Sequence, residues 1–208
     1  MKGLHLQKGE PSARERVQKA AIELFAENGY AGTSVREIVA GAGVTKPVLY
    51  YYFGSKEGLF QSILEDAANL HRGIVEEVLQ GSGDALDRFI RLFDRVYQDV
   101  HEHWDIFRMV HSLIYSPPQG APGTYLREFV LRTVEKIKDV YLQGLARNEV
   151  AEADPDTAAF LLTTLLYSSI GFRFANPELS DPERPIKMLR LVFKGLEPPK
   201  KTVSGEPA

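Results

Sequence analysis

Lys46, Tyr50, Tyr51 and Tyr52 fall within one short run, T-K-P-V-L-Y-Y-Y-F, that offers an ammonium and three phenolic hydroxyls from a single segment. Such groups donate hydrogen bonds to anionic oxygens, and a lysine can also donate to polar ring edges. Other candidate chemistry is weaker. His101-Glu102-His103 brings two imidazoles close in sequence, but helix residues two apart point to nearly opposite sides and cannot share one ion. With no Glu-x-x-His, no cysteine and no nucleophile motif, no metal, no cofactor and no catalytic residue is expected. Gly41-Ala42-Gly43 lacks the preceding strand of a phosphate loop, and Gly81-Ser82-Gly83 lacks the strand-turn-helix setting of a nucleophile elbow.

The elements that position the lysine and tyrosines can be read from their flanks. Ser34 followed by Glu37 forms a capping box that starts one short helix. Gly41 and Gly43 end it and permit a tight turn, Thr45 caps the next helix, and Pro47 sits in its first turn. Leu49 and Phe53, four apart, face inward, which leaves Lys46, Val48 and the three tyrosines around the remaining surface. Two short helices joined in this way have the shape of a helix-turn-helix, whose second helix enters a DNA major groove.

The rest of the chain reads as helix throughout. Ser12 and Glu15 form another capping box ahead of an apolar face at Val17, Ala20, Ala21, Leu24 and Phe25, and Asn28-Gly29 stops that helix. Ser55 caps a long fourth helix, Asp84 a fifth, and a sixth covers Trp104 to Tyr115. Thr124 begins a seventh, Asp154 caps an eighth, and a ninth runs from about Pro185 to Phe193. The expected class is all-α: a head at 1–56, ordered from about residue 12, a helical body at 57–194, and a disordered tail at 195–208.

The 208 residues carry a net charge of −3, 44% hydrophobic and 25% charged residues, as in ordinary globular chains. The charge is uneven: up to Lys56 eight basic residues stand against five acidic ones, leaving about −6 for the remainder. No N-terminal apolar segment and no run of about 20 apolar residues occurs, which gives a cytoplasmic protein with no membrane partner as the expectation.

Three segments resemble the tetracycline-repressor (TetR) family of one-component regulators: A-I-E-L-F-A-E-N-G-Y (Ala21 to Tyr30), T-S-V-R-E-I-V (Thr33 to Val39) and G-V-T-K-P-V-L-Y-Y-Y-F-G-S-K-E-G-L-F (Gly43 to Phe60). The resemblance covers nearly all of the first quarter of the chain. It implies that Ser34 and Arg36 touch backbone phosphates or an adjacent base edge, and that Thr45, Lys46, Pro47 and Val48 face the bases. It places Tyr50, Tyr51, Tyr52 and Lys56 on phosphates. The family often has histidine at the position of Tyr52, and Tyr50 has packing against the first helix as its alternative.

The resemblance further implies a ligand-responsive transcriptional repressor, released from a palindromic double-stranded operator by a small apolar or amphipathic molecule. For that effector, Trp104, Phe107, Arg108, His111 and Tyr115 on the sixth helix are candidate lining, with Phe129, Tyr141, Tyr167 and Arg173 on the following two. The eighth helix is apolar on more than one face. Phe160, Leu161, Leu165 and Ile170, with Ile186, Leu189, Val192 and Phe193 of the ninth, are the expected homodimer interface. The rival reading is an all-helical small-molecule-binding protein or enzyme whose N-terminal hairpin is only structural.

Overall fold

Polar caps set where the helices begin. In the computed structural model, which describes residues 10–115, 124–176, 178, 181 and 183–195, the Ser12 hydroxyl accepts from the Glu15 backbone N–H (3.2 Å) and the Glu15 carboxylate accepts from that of Ser12 (2.7 Å). For 112–115, 124–129 and 173–175 only the backbone is described. This capping box starts α1 (Ala13–Gly32). The stop expected at Asn28-Gly29 is a kink: Gly29 leaves helical geometry (φ 71°, ψ 170°) and one more turn reaches Gly32.

Then follow α2 (Val35–Gly41), α3 (Lys46–Phe53), α4 (Lys56–Leu79), α5 (Ala85–Glu102) and α6 (Trp104–Tyr115). The remaining helices are α7 (Thr124–Ala146), α8 (Pro155–Ala175) and α9 (Arg184–Gly195). Ser55, Asp84 and Asp154 each accept a backbone N–H three residues on, at 2.9, 2.8 and 2.8 Å. The protein is all-α, and no strand occurs among the described residues. None of the described helices is long and apolar enough to cross a membrane.

Two compact units form, one from Met1–Ile74 with Val96–Leu131, the other from Val75–Arg95 with Arg132–Ala208. The core of the first joins Val17, Ala21 and Phe25 of α1, Ile38 of α2 and Leu49 of α3 to Leu59, Phe60 and Ile63 of α4 and Met109 of α6. Packing of the head therefore continues past residue 56 into α4 and α6.

In the second unit, Phe89, Leu92, Ile137, Leu162, Leu166 and Leu189 are buried. Buried Arg88 holds three elements there. Its guanidinium donates through Nε to the Leu79 carbonyl at the end of α4 (2.8 Å) and through Nη1 to Gln143 of α7 (2.9 Å). Full burial of a leucine- or phenylalanine-sized side chain contributes about 1.5–3 kcal/mol, so these cores outweigh the exposed ion pairs, each worth roughly 0–1 kcal/mol.

Several expected interface residues belong to the chain's own core. Leu165, Ile170, Leu189 and Phe193 are buried, and Phe193 meets Phe89 at a tilt with ring centroids 5.6 Å apart. Of the expected set Phe160 and Leu161 are exposed, as are Phe172 of α8 and Met188 and Leu191 of α9. Ile186 and Val192 are half-buried. An inward face at one set of i, i+4 positions leaves the outward face to those between them.

His71 of α4, half-buried, has its pKa pulled from 6.5 to about 4 by removal from water. The folded imidazole stays neutral down to about pH 4, while the unfolded one binds a proton near 6.5. Stability is therefore expected to fall as pH drops through that window, by up to about 1.4 kcal/mol per pH unit. Melting followed by circular dichroism from about pH 7 to about pH 5 should show this decline, and His71→Leu should flatten it.

Candidate nucleic-acid interface

The corner between α2 and α3 is built by one left-handed residue. Gly43 has φ 62°, the Val44 N–H donates to the Val39 carbonyl (3.0 Å), and the Gly43 N–H donates to that of Ala40 (3.2 Å). These two bonds form a Schellman motif with Gly43 at the position where a side chain would be strained. Gly41, expected to share that role, lies inside α2; a methyl there would only touch Ala20 at 3.4 Å. At the other end of α2 the Ser34 hydroxyl donates to the Glu37 carboxylate (2.6 Å), and that carboxylate accepts the Ser34 backbone N–H (2.8 Å). The hydroxyl's bond first and the backbone bond second hold Glu37 below the ordinary carboxylate range.

The corner sets α3 on α1 and α2 with Leu49 fully buried. Thr45, Lys46 and Pro47 at its leading end are exposed, and Val48 is half-buried. Thr45 occupies the N-cap position but its side chain makes no capping bond, contrary to the expected cap. The helix starts there through Pro47 in its first turn, and the Thr45 hydroxyl is left at the surface. Tyr51 is 82% exposed, Tyr50 48% and Tyr52 42%, and Tyr51 and Tyr52 meet edge to face at 5.1 Å. Core packing cannot account for three tyrosines at that exposure, and Tyr50 lies on the surface with them. Ser34 and Arg36 present a second exposed edge at the start of α2.

Lys56 is a correction. Its ammonium donates to the carbonyls of Tyr30 and Thr33, both at 2.8 Å, and lies 4.2 Å from the Tyr30 ring centroid. The charge sits on carbonyls at the C-terminal end of α1, where a cation is favoured, and so it braces the corner between α1 and α2. Sequence reading also missed Gly58. A Cβ there would lie 2.1 Å from the Phe53 carbonyl oxygen, so only glycine lets α4 start this close behind α3. Its signal is the G-S-K-E-G run, where the second glycine falls inside a helix and needs a packing reason.

The expected effector residues divide between the two units. Trp104, Phe107, Arg108 and His111 lie together on α6, all half-buried. Tyr115, Phe129 and Arg173 lie outside the described residues as far as their side chains are concerned. Tyr167 is half-buried on α8. Tyr141 is not a lining residue: it is fully buried, its hydroxyl donates to the Ala151 carbonyl (2.8 Å) and accepts from the Ala153 N–H (3.0 Å), and it pins the loop that leads to α8.

A short helix turned by a left-handed glycine, braced from behind and presenting lysine and tyrosines outward, defines the helix-turn-helix class of DNA-binding domain. Residues 18–63 match the family model for bacterial regulatory proteins of the tetR family, which places this segment in that class. The chain is 33% identical over 101 residues to the HTH-type transcriptional regulator YdgC of Bacillus subtilis, covering 47% of this chain and 52% of that one. It is 29% identical over 93 residues to the HTH-type transcriptional repressor KstR2 of Mycolicibacterium smegmatis, covering 44% and 45%. These alignments span about half the length of the curated relatives. In fold, the chain is similar to the TetR-family transcriptional regulator PfmR of Thermus thermophilus, with a TM-score of 0.72 at 23% identity over 90% of this chain and 98% of that one.

Lys56→Ala should lower thermal stability, by about 1–3 kcal/mol for the lost charged hydrogen bonds. It should leave the salt dependence of any DNA binding unchanged. Equal melting temperatures for the variant and the parent protein would contradict the bracing role.

Proposed function

We propose that this protein is a homodimeric, ligand-responsive transcriptional regulator, a repressor that leaves a palindromic operator when a small apolar or amphipathic molecule binds. The outward face of α3 carries the DNA part of this reading. Lys46 donates to guanine O6 or N7, Val48 and Pro47 pack on a thymine methyl, and Tyr50, Tyr51 and Tyr52 donate to phosphates with Arg36. Thr45 and Ser34 complete the edge.

Ligand response is supported by Met109. It is 1% exposed, and with its neighbour Val110 it packs in the core that holds α1, α2 and α3. The helix bearing the expected effector residues is thus part of the reading head's own packing, and α6 lies along α1. A shift of α6 cannot occur without repacking that core, because close-packed interiors transmit displacement. To move an operator from 1:99 free to 99:1 free, the effector must favour the released state by about 5.5 kcal/mol.

Two heads are needed for a two-fold site, with recognition helices about 34–36 Å apart or a multiple of that. The exposure of the large apolar residues Phe160, Leu161, Phe172, Met188 and Leu191 supports pairing through α8 and α9 of two copies. Phe160→Glu should yield monomers in sedimentation and weaken operator binding sharply.

Fluorescence anisotropy with DNA flanking the protein's own gene tests the central reading. Binding should exceed that to random DNA, and with about two phosphates neutralised per head the log–log salt slope should lie near −4. Lys46→Ala should cost about 1–3 kcal/mol on the specific site and relax its sequence preference. Salt-independent affinity, or equal affinity for random DNA, would overturn the proposal.

A further inference from the structure

Met109 and Val110 turn one side of α6 into the head core. Trp104, Arg108 and His111 are spaced i, i+4 and i+7, which places them together on the opposite side of the same helix. That second stripe is half-buried. Phe107 lies at its edge, with its ring centroid 5.8 Å from that of His111.

Arg108 is the charged group of this stripe. One end of its guanidinium is 3.4 Å from the carboxylate of Asp105, from Nη2 to Oδ1, long for a charge-assisted bond. Asp105 is itself about half exposed, so it neutralises the arginine weakly. The Nε of Arg108 is shut off from solvent and has no acceptor among the described residues. A buried N–H on a permanent cation without a partner is a standing cost, which an acceptor of opposite charge would remove. His111 beside it is held below its ordinary pKa by burial, so it stays neutral near pH 7 and does not compete for an anion.

We propose that Arg108 receives the anionic end of an amphipathic effector, a carboxylate or a phosphate, while Trp104 and Phe107 border its apolar part. The planar fork of Nε and Nη matches the two oxygens of either group. This rests on the ligand-responsive reading above and adds the polarity of the ligand and the residue that selects it.

Trp104 is the only tryptophan in the chain and stands one turn from Arg108, so its emission reports on the site. The full-length protein is titrated with dodecanoate, dodecyl phosphate and the neutral dodecanol. At least one anion should shift Trp104 emission with an affinity about tenfold or more above that of dodecanol. Arg108→Gln, checked for an unchanged melting curve, should abolish that preference while leaving dodecanol uptake as it was. Arg108→Lys, which keeps the charge without the fork, should fall between. Response to dodecanoate alone assigns a free carboxylate, response to dodecyl phosphate alone assigns a phosphorylated ligand, and either supports the proposal. Equal affinity for dodecanol, an unaffected Arg108→Gln, or no response to any probe overturns it. Operator binding is measured separately without ligand: parent protein that binds its operator but no anion defeats this inference alone, and one that binds the anion but ignores the operator defeats the regulator reading alone.

Discussion

Burial of Val17, Ala20, Ala21 and Phe25 along one face of α1 creates the surface on which the first unit is assembled. α2, α3 and α6 all pack on α1, and Phe60 of α4 meets Phe25 edge to face at 5.2 Å and Tyr30 at 4.7 Å. Small residues let the backbones close up, as where Gly41 of α2 passes Ala20. Without that face, the eight-residue α3 would have nothing to hold it in one orientation, since isolated helices of that length are marginal in water. The outward direction of Lys46 and the tyrosines is thus a consequence of what lies on their inner side.

Among the described residues, several positive charges of the head separate into two physical classes. Lys56 and Arg16 donate to backbone carbonyls, Lys56 to Tyr30 and Thr33 and Arg16 through Nε to Ala42 (3.2 Å), so they fix the helix corners. Arg14 bonds Ser62 and lies over the Phe53 ring at 5.4 Å, joining α1 to the neighbours of α3. Lys46 and Arg36 remain exposed. A count of basic residues treats these groups as equal, although only those not already bonded within the fold can give up water and counterions to a polyanion without first breaking it.

Local signals in the chain were strong at most helix starts, with the missing Thr45 cap as the exception. The Ser12/Glu15 and Ser34/Glu37 boxes, the caps at Ser55, Asp84 and Asp154, and the inward Leu49 follow from spacing alone. The candidate site was legible to the same depth: its residue types and the helix that carries them could be read, and most of them are exposed as expected. Lys56 was not legible, because its partners lie 26 and 23 residues back along the chain. Neither was Tyr141, whose hydroxyl is taken up by a loop ten residues on.

What the residues determined by themselves is periodic and local: an all-helical chain, its caps, and a lysine–tyrosine face on a helix set by glycine. Which apolar side of α8 and α9 turns inward, which lysine braces a corner, and the joining of Met109 to the core of α1–α3 were decided only by tertiary packing. Periodicity specifies that a helix has faces, but the neighbour that covers each face is chosen by long-range burial and by hydrogen bonds between segments far apart in sequence.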